Sequence, residues 1–144
     1  MINVLSGINS TSAALNAERI RLEVIGQNIA NANTSRGTDG RPYQRREVVF
    51  QSVLSQAEQL GAPGDTLPKS VQVAAIQKDS RPPRLVHIPG HPDADAQGNV
   101  AMPDINIHEE MADLISASRS YEANLAVVRN AHNLALQSLS IGKA

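Results

Sequence analysis

The sequence predicts a mainly α fold: long N- and C-terminal helices paired as a coiled-coil-like hairpin, with a small irregular β and loop segment between them. Three observations carry that expectation. All eight prolines fall from Pro42 to Pro103, and proline breaks helix interiors, so both ends are free to be long helices and the middle is not. At both ends apolar residues recur every seven positions, the period of a helical seam. Both ends are also rich in small residues, including Ser12, Ala13, Ala14, Ala17, Ala112, Ala117, Ala123 and Ala131; these let helices approach closely but supply little apolar area each. The expected segments are 1–33, 34–106 and 107–144.

In the first segment Met1, Ile8, Leu15, Leu22 and Ile29 form the seven-residue series, widened by Val4 and Ile25 on one side and Leu5 on the other. Glu18, Arg19, Arg21 and Glu23 mostly fall elsewhere, so the pattern reads as an amphipathic helix from about Ile2 to Asn31. Gly26 costs helicity and is expected to admit a neighbouring backbone. The polar run Asn31 to Gly40 ends the helix.

The middle segment reads as loops with short strands. Glu47 to Phe50, Val71 to Ile76 and Arg84 to Ile88 are extended runs, punctuated by Gly40-Arg41-Pro42, Pro63-Gly64 and Ser80-Arg81-Pro82-Pro83. In the last segment Ile107, Leu114, Tyr121, Val128 and Ala135 form one series, and Met111, Ser118, Leu125, His132 and Leu139 a second. Asn106 is an N-cap with Glu109 three residues on, the spacing of a capping box. Glu109, Glu110 and Asp113 suit the positive end of the helix, and Gly142 is a C-terminal stop. A helix from about Asn106 to Ser140 follows.

Helices of this length do not fit a compact globule. About 30 residues at ~1.5 Å rise make a rod of roughly 45 Å, whereas a compact chain of this size has a radius of gyration of about 15 Å. Partners are the natural cover for such seams, so Leu15, Leu22, Ile29, Leu114, Leu125 and Val128 are the expected assembly seam. Asparagine fills helix interiors poorly and caps well; Asn28, Asn31 and Asn33, with Gln27 and Thr34, are expected to make polar contacts between helices.

Composition excludes several functions. With 13 Lys and Arg against 14 Asp and Glu, the formal charge is -1, which gives no reason to expect a general nucleic-acid binder. Arg41, Arg45 and Arg46 cluster, but the bias is too weak to change that. The chain has no Cys, so thiol catalysis and Cys-ligated metal are excluded. Tyr43, Phe50 and Tyr121 are the only aromatics, thin for a large core or a base-stacking surface. No run is long and apolar enough to span a membrane, and the N-terminal residues are not expected to act as a cleaved leader.

Candidate ion sites are weak. Asp93-Ala94-Asp95-Ala96-Gln97-Gly98 matches the first half of a calcium loop. Asp104 stands where such a loop wants Glu, and Pro89, Pro92 and Pro103 bar the flanking helices, so a hydrogen-bonded turn is expected. His87 and His91 are separated by Pro89 and are not on one helix; His108 and His132 read as packed or interfacial imidazoles. Neither a nucleophile elbow nor a phosphate loop is present, and no catalysis or cofactor is expected.

Separated motifs carry a resemblance. Gly26-Gln27-Asn28-Ile29-Ala30-Asn31-Ala32-Asn33-Thr34 resembles the signature of flagellar rod, hook and related axial proteins, and Met111 to Asn124 is similar to its C-terminal partner motif. Pro42 to Phe50, Pro89 to Asp95, Gly98-Asn99-Val100 with Pro103, and Leu139-Ser140-Ile141-Gly142 are similar to the proximal-rod branch. Two departures stand out: Thr34 leads into Ser35-Arg36-Gly37-Thr38-Asp39-Gly40 where many relatives have Thr-Pro-Gly-Tyr, and Met102 takes a place often held by an aromatic.

The resemblance implies a structural subunit of the periplasmic rod, transmitting torque, lining the export channel and leaving the cell through the flagellar type III export apparatus without a cleaved leader. The implied partners are other rod proteins, copies of itself, the inner-membrane ring and rod-base adaptor protein, and the distal rod protein. The alternatives weighed beside it are a cytoplasmic helical adaptor or regulatory protein, and a peptidoglycan hydrolase, which would need a paired-carboxylate cleft.

Overall fold

A computed structural model describes residues 2–53 and 70–141. Met1 at the head of the first heptad series, the Pro63-Gly64 turn and the stop at Gly142 lie outside those residues, as do the side chains of Val4 and Leu5. Helix α1 runs Ile2–Ala30, followed by strands β1 (Arg46–Val53), β2 (Ser70–Lys78), β3 (Arg84–His87) and β4 (Asn99–Met102), and by helix α2, Ile107–Ile141. The expected architecture is present, with both helices within a residue of their anticipated limits.

The helices form an antiparallel pair. Asn28 reaches Glu110 and Arg21 reaches Asp113, so the end of α1 lies beside the start of α2. β1 and β2 form one antiparallel hairpin, from Arg46 opposite Lys78 to Val53 opposite Ser70, which packs along α1. The register shifts between Val49 and Phe50, where Val49 faces Ala75 and Phe50 faces Val73; Ala74 is the extra residue of a bulge, which bends the hairpin. β3 and β4 form a second hairpin, Arg84 opposite Met102 and His87 opposite Asn99, which packs on neither helix among the described residues. β4 was not anticipated from the sequence of Asn99–Met102. It is made by its pairing with β3.

The core is small and sits on α1, between α2 and the first hairpin. Its deepest members are Ala17, Val24 and Ile25 of α1, Ala32 of the turn that ends it, and Ala117 of α2, while Val100 is buried apart from them in the second hairpin. Alanine stands at the deepest points of the helix pair, Ala17 on α1 and Ala117 on α2, while the heptad leucines are half-buried. Gly26 corrects one expectation: among the described residues a Cβ there would meet nothing within 4 Å, because the residue lies on the exposed side of α1.

Candidate functional site

The most highly connected part of the molecule is the end of the helix pair where α1 stops and α2 begins. Asn31 N–H bonds Gln27 O at 3.1 Å, Ala32 N–H bonds Ile29 O at 3.3 Å and Thr34 N–H bonds Asn31 O at 3.0 Å, so α1 tightens and turns. The loop beyond is closed by Gly37 N–H on Arg41 O at 2.8 Å and by Tyr43 N–H on Thr34 O at 3.2 Å, with Gly40 at φ 73°. A side chain rarely adopts that backbone conformation. The loop departing from the family pattern therefore still returns Tyr43, Arg45 and Arg46 to the helix end.

Asn28, 1% exposed, is the centre. Its Nδ2 donates to Arg46 O at 2.9 Å and to Glu110 Oε2 at 3.0 Å. Its Oδ1 accepts from Arg46 N–H at 2.9 Å and from Tyr43 Oη at 3.0 Å. All four hydrogen-bonding positions of the amide are used. The pair of bonds to the Arg46 backbone copies what a neighbouring strand would supply, and so pins the start of β1 to α1.

Glu110, also 1% exposed, is the second hub. Arg45 Nε donates to Glu110 Oε1 at 2.6 Å, compensating a carboxylate withdrawn from water. The chain of charges continues outward: Arg45 lies 3.9 Å from Asp79, which takes Arg81 at 2.7 Å, and Arg81 reaches Asp104 at 3.3 Å. The Arg81 hydrogen bond holds the Asp79 carboxyl below the usual carboxylate range. Burial pushes the Tyr43 phenol up; the nearby Arg46 opposes this and Glu110 adds to it. The Arg46 guanidinium stands 5.9 Å from the Tyr43 ring centre. One polar network thus joins α1, the loop after it, β1, the end of β2 and the start of α2.

The start of α2 is capped by the anticipated residue. Asn106 Oδ1 accepts from His108 N–H at 3.1 Å, while Asn106 Nδ2 donates to Glu109 Oε1 at 2.9 Å. Glu110 does more than suit the positive end of the helix: its carboxylate turns inward to Asn28 and Arg45. An acidic residue in a first helical turn carries no local mark of that partnership.

The other anticipated residues are placed as follows. Leu15, Leu22, Ile29, Leu114, Leu125 and Val128 are all half-buried within the single chain. Asn31 stays within its own turn, donating to Gln27 O at 2.8 Å and accepting from Thr34 at 3.3 Å. Asn33 is exposed. Of the three asparagines, Asn28 alone joins the two helices inside this chain.

In the Asp93 to Gly98 segment, Asp95 Oδ1 accepts from Gln97 N–H at 2.9 Å and Asn99 N–H at 2.8 Å. These backbone bonds, the Asn99 one foremost, hold its carboxyl below the usual range. Asp93 accepts from Ser35 Oγ at 2.8 Å and lies 3.3 Å from Arg36, tying the second hairpin's loop to the turn after α1. His91 Nδ1 accepts from Asp93 N–H at 3.1 Å, and His87 Nδ1 lies 3.2 Å from Asn99 Oδ1. His108 and His132 are exposed. Among the described residues, no three His, Asp or Glu side chains are placed to share an ion, and no helix is long and apolar enough to cross a membrane.

Comparison with known proteins agrees with both helical ends. Residues 8–36 match the family described as "Flagella basal body rod protein", and residues 96–141 match "Flagellar basal body rod FlgEFG protein C-terminal". Asn28 falls in the first match and Glu110 in the second. The flagellar basal-body rod protein FlgC of Yersinia enterocolitica is 39% identical, over 99% of this chain and 100% of that protein. FlgC of Borreliella burgdorferi is 38% identical over 97% and 98%, and FlgC of Bacillus subtilis 35% identical over 94% and 96%. This chain belongs to the FlgC family of flagellar basal-body rod proteins, and its role is structural.

Proposed function

We propose that this subunit builds the proximal part of the rod, transmitting torque and lining the channel through which later subunits are exported. In this reading it stands in the periplasm among other rod proteins and copies of itself. It bridges the inner-membrane ring and rod-base adaptor protein on one side and the distal rod on the other. It leaves the cell through the flagellar type III apparatus without a cleaved leader.

The observation that supports this best is the exposed apolar surface of α2. Met111, Ile115, Val127, Leu134, Leu136 and Leu139 are all more than half exposed or close to it, far more than a helix that ends its work inside one chain should leave in water. Leu15, Leu22, Ile29, Leu114, Leu125 and Val128 are then a seam that neighbours complete, with Asn31 and Asn33 offering amides at the turn. The cytoplasmic adaptor reading has no comparable support once the family is known.

The test joins an image to a phenotype. Density of isolated basal bodies, with this chain traced in it, should place both helices in the proximal rod. Leu22→Asp and Leu125→Asp should abolish rod completion and motility while the exposed change Glu23→Ala leaves both intact. Normal rods in both leucine variants would refute the seam.

A further inference from the structure

From Thr34 to Tyr43 the chain leaves the end of α1 and returns to it. Tyr43 N–H bonds Thr34 O at 3.2 Å, so the two ends of this loop are tied together, as in a compact Ω-loop. Inside it Gly37 N–H bonds Arg41 O at 2.8 Å, Gly40 N–H bonds Gly37 O at 3.0 Å and Arg41 N–H reaches Asp39 Oδ1 at 3.3 Å. Arg36, Thr38, Asp39, Gly40 and Arg41 are exposed. These internal bonds shape the loop but do not hold it against the rest of the molecule.

The hold comes from one carboxylate. Among the described residues, the hydrogen bonds and ion pairs that leave residues 35–42 all end on Asp93. Ser35 Oγ donates to Asp93 Oδ2 at 2.8 Å and Arg36 to Asp93 Oδ1 at 3.3 Å. Asp93 stands on a turn that is closed without the loop. Ile88 N–H bonds Gly98 O at 2.9 Å, Asp95 N–H bonds Asn99 O at 2.8 Å, and His91 Nδ1 accepts from Asp93 N–H at 3.1 Å. Between loop and hairpin lies an open cleft of about 300 Å³, with Gly40 and Pro42 on one wall and Pro92 and Ala101 on the other. Little packing therefore backs the Asp93 contacts.

We infer that residues 35–42 form a strap latched by Asp93, which lifts from the second hairpin while Thr34, Tyr43 and the Asn28 junction stay in place. The latch is weak by construction. The Arg36 side chain is 68% exposed, and an exposed ion pair holds little, so the Ser35 hydroxyl is its main tooth. Against these two contacts stands the backbone freedom that the whole strap regains on lifting. The movement stops at the base, because the Thr34–Tyr43 bond closes the loop and Asn28 Oδ1 still takes Tyr43 Oη and Arg46 N–H. The device belongs to the single chain and is independent of the rod reading.

Amide exchange of the purified full-length chain, read residue by residue by NMR, tests the latch. Asp93→Ala removes the acceptor but keeps the backbone bond to His91. It should speed exchange at Gly37 about tenfold, as expected for a lost bond to a carboxylate. Tyr43 N–H at the base and Ile88 N–H in the hairpin should stay within about twofold of the parent, since they belong to units that remain closed. Ser35→Ala should give much of the same acceleration and Arg36→Ala the least. The Ser35→Ala/Arg36→Ala double variant attacks the latch from the other side and carries the test where Asp93→Ala disturbs its own turn.

An unchanged Gly37 rate in both Asp93→Ala and the double variant would overturn the inference. Acceleration in Asp93→Ala without any in the double variant would overturn it too, by making Asp93 a residue of its own turn only. Acceleration that spreads to Tyr43 N–H or to the last turn of α1 would show that the strap does not open separately, and would equally sink it.

Discussion

The two ends of the helix pair are built on opposite principles. At the junction end, Asn28 and Glu110 are each 1% exposed and every hydrogen-bonding position of the asparagine amide is used. At the far end, α2 carries an uncharged stretch with Leu134, Leu136 and Leu139 in solvent. A buried polar network is specific but costly unless complete, so it belongs where one chain supplies all its members. An open apolar seam costs little to leave unfinished and gains when a neighbour arrives. The chain completes its own contacts at one end and leaves apolar side chains in water at the other.

The largest expected effect separates the ends by hydrogen exchange of the purified subunit. Amides of residues 24–30 and 108–117 should open with free energies several kcal/mol above those of residues 132–141, which should exchange close to the rate of a frayed helix. Equal protection along both whole helices would erase the contrast between the ends. Loss of protection at the junction too would show that even that end waits for neighbours.

The next test strikes the junction alone. Asn28→Ala strands Glu110 Oε2, the Tyr43 hydroxyl and both Arg46 backbone groups. At about 1–3 kcal/mol for each buried group left unpaired, partly relieved by water entry, the loss should be about 3 kcal/mol or more. Asn28→Asp should be no better, because it sets a second carboxylate against Glu110 and removes the donor that held it. Urea unfolding followed by circular dichroism measures both, and a loss below about 0.5 kcal/mol would demote Asn28 to an ordinary polar residue.

The smallest effect sharpens the network's edge. Tyr43→Phe removes one bond to Asn28 Oδ1, which keeps its bond to Arg46 N–H, so the cost should be about 1 kcal/mol. Because burial raises the phenol's pKa in the fold, its protonated form is the one the fold favours. That contribution is complete below the pKa of the unfolded chain, about 10, and is lost as pH rises through the higher folded value. Stability of the parent should therefore fall faster than that of Tyr43→Phe on going from pH 9 to 11. Parallel curves would remove Tyr43 from the network.

Much of the fold was legible because its signals are local. The confinement of proline to Pro42–Pro103 set where helices could run, and the seven-residue apolar series marked both ends as helices. Asn106 marked the start of α2 by its own side chain. The amide cluster was recognisable as a special turn, although which of its members would cross to the other helix was not.

What the tertiary structure alone decided lies in contacts between distant parts of the chain. Asn28 and Glu110 are 82 residues apart, and neither carries a local trace of the other. Glu110 looks like an ordinary first-turn acid until the hairpin brings Arg45 and Asn28 to it. β4 has no periodicity of its own and exists because β3 offers it a register. The burial of Ala117 in preference to the flanking leucines was settled by how closely two rods can approach. Periodicity and capping are written within a few turns of backbone; a buried partner is chosen only when folding brings remote segments together and removes the water between them.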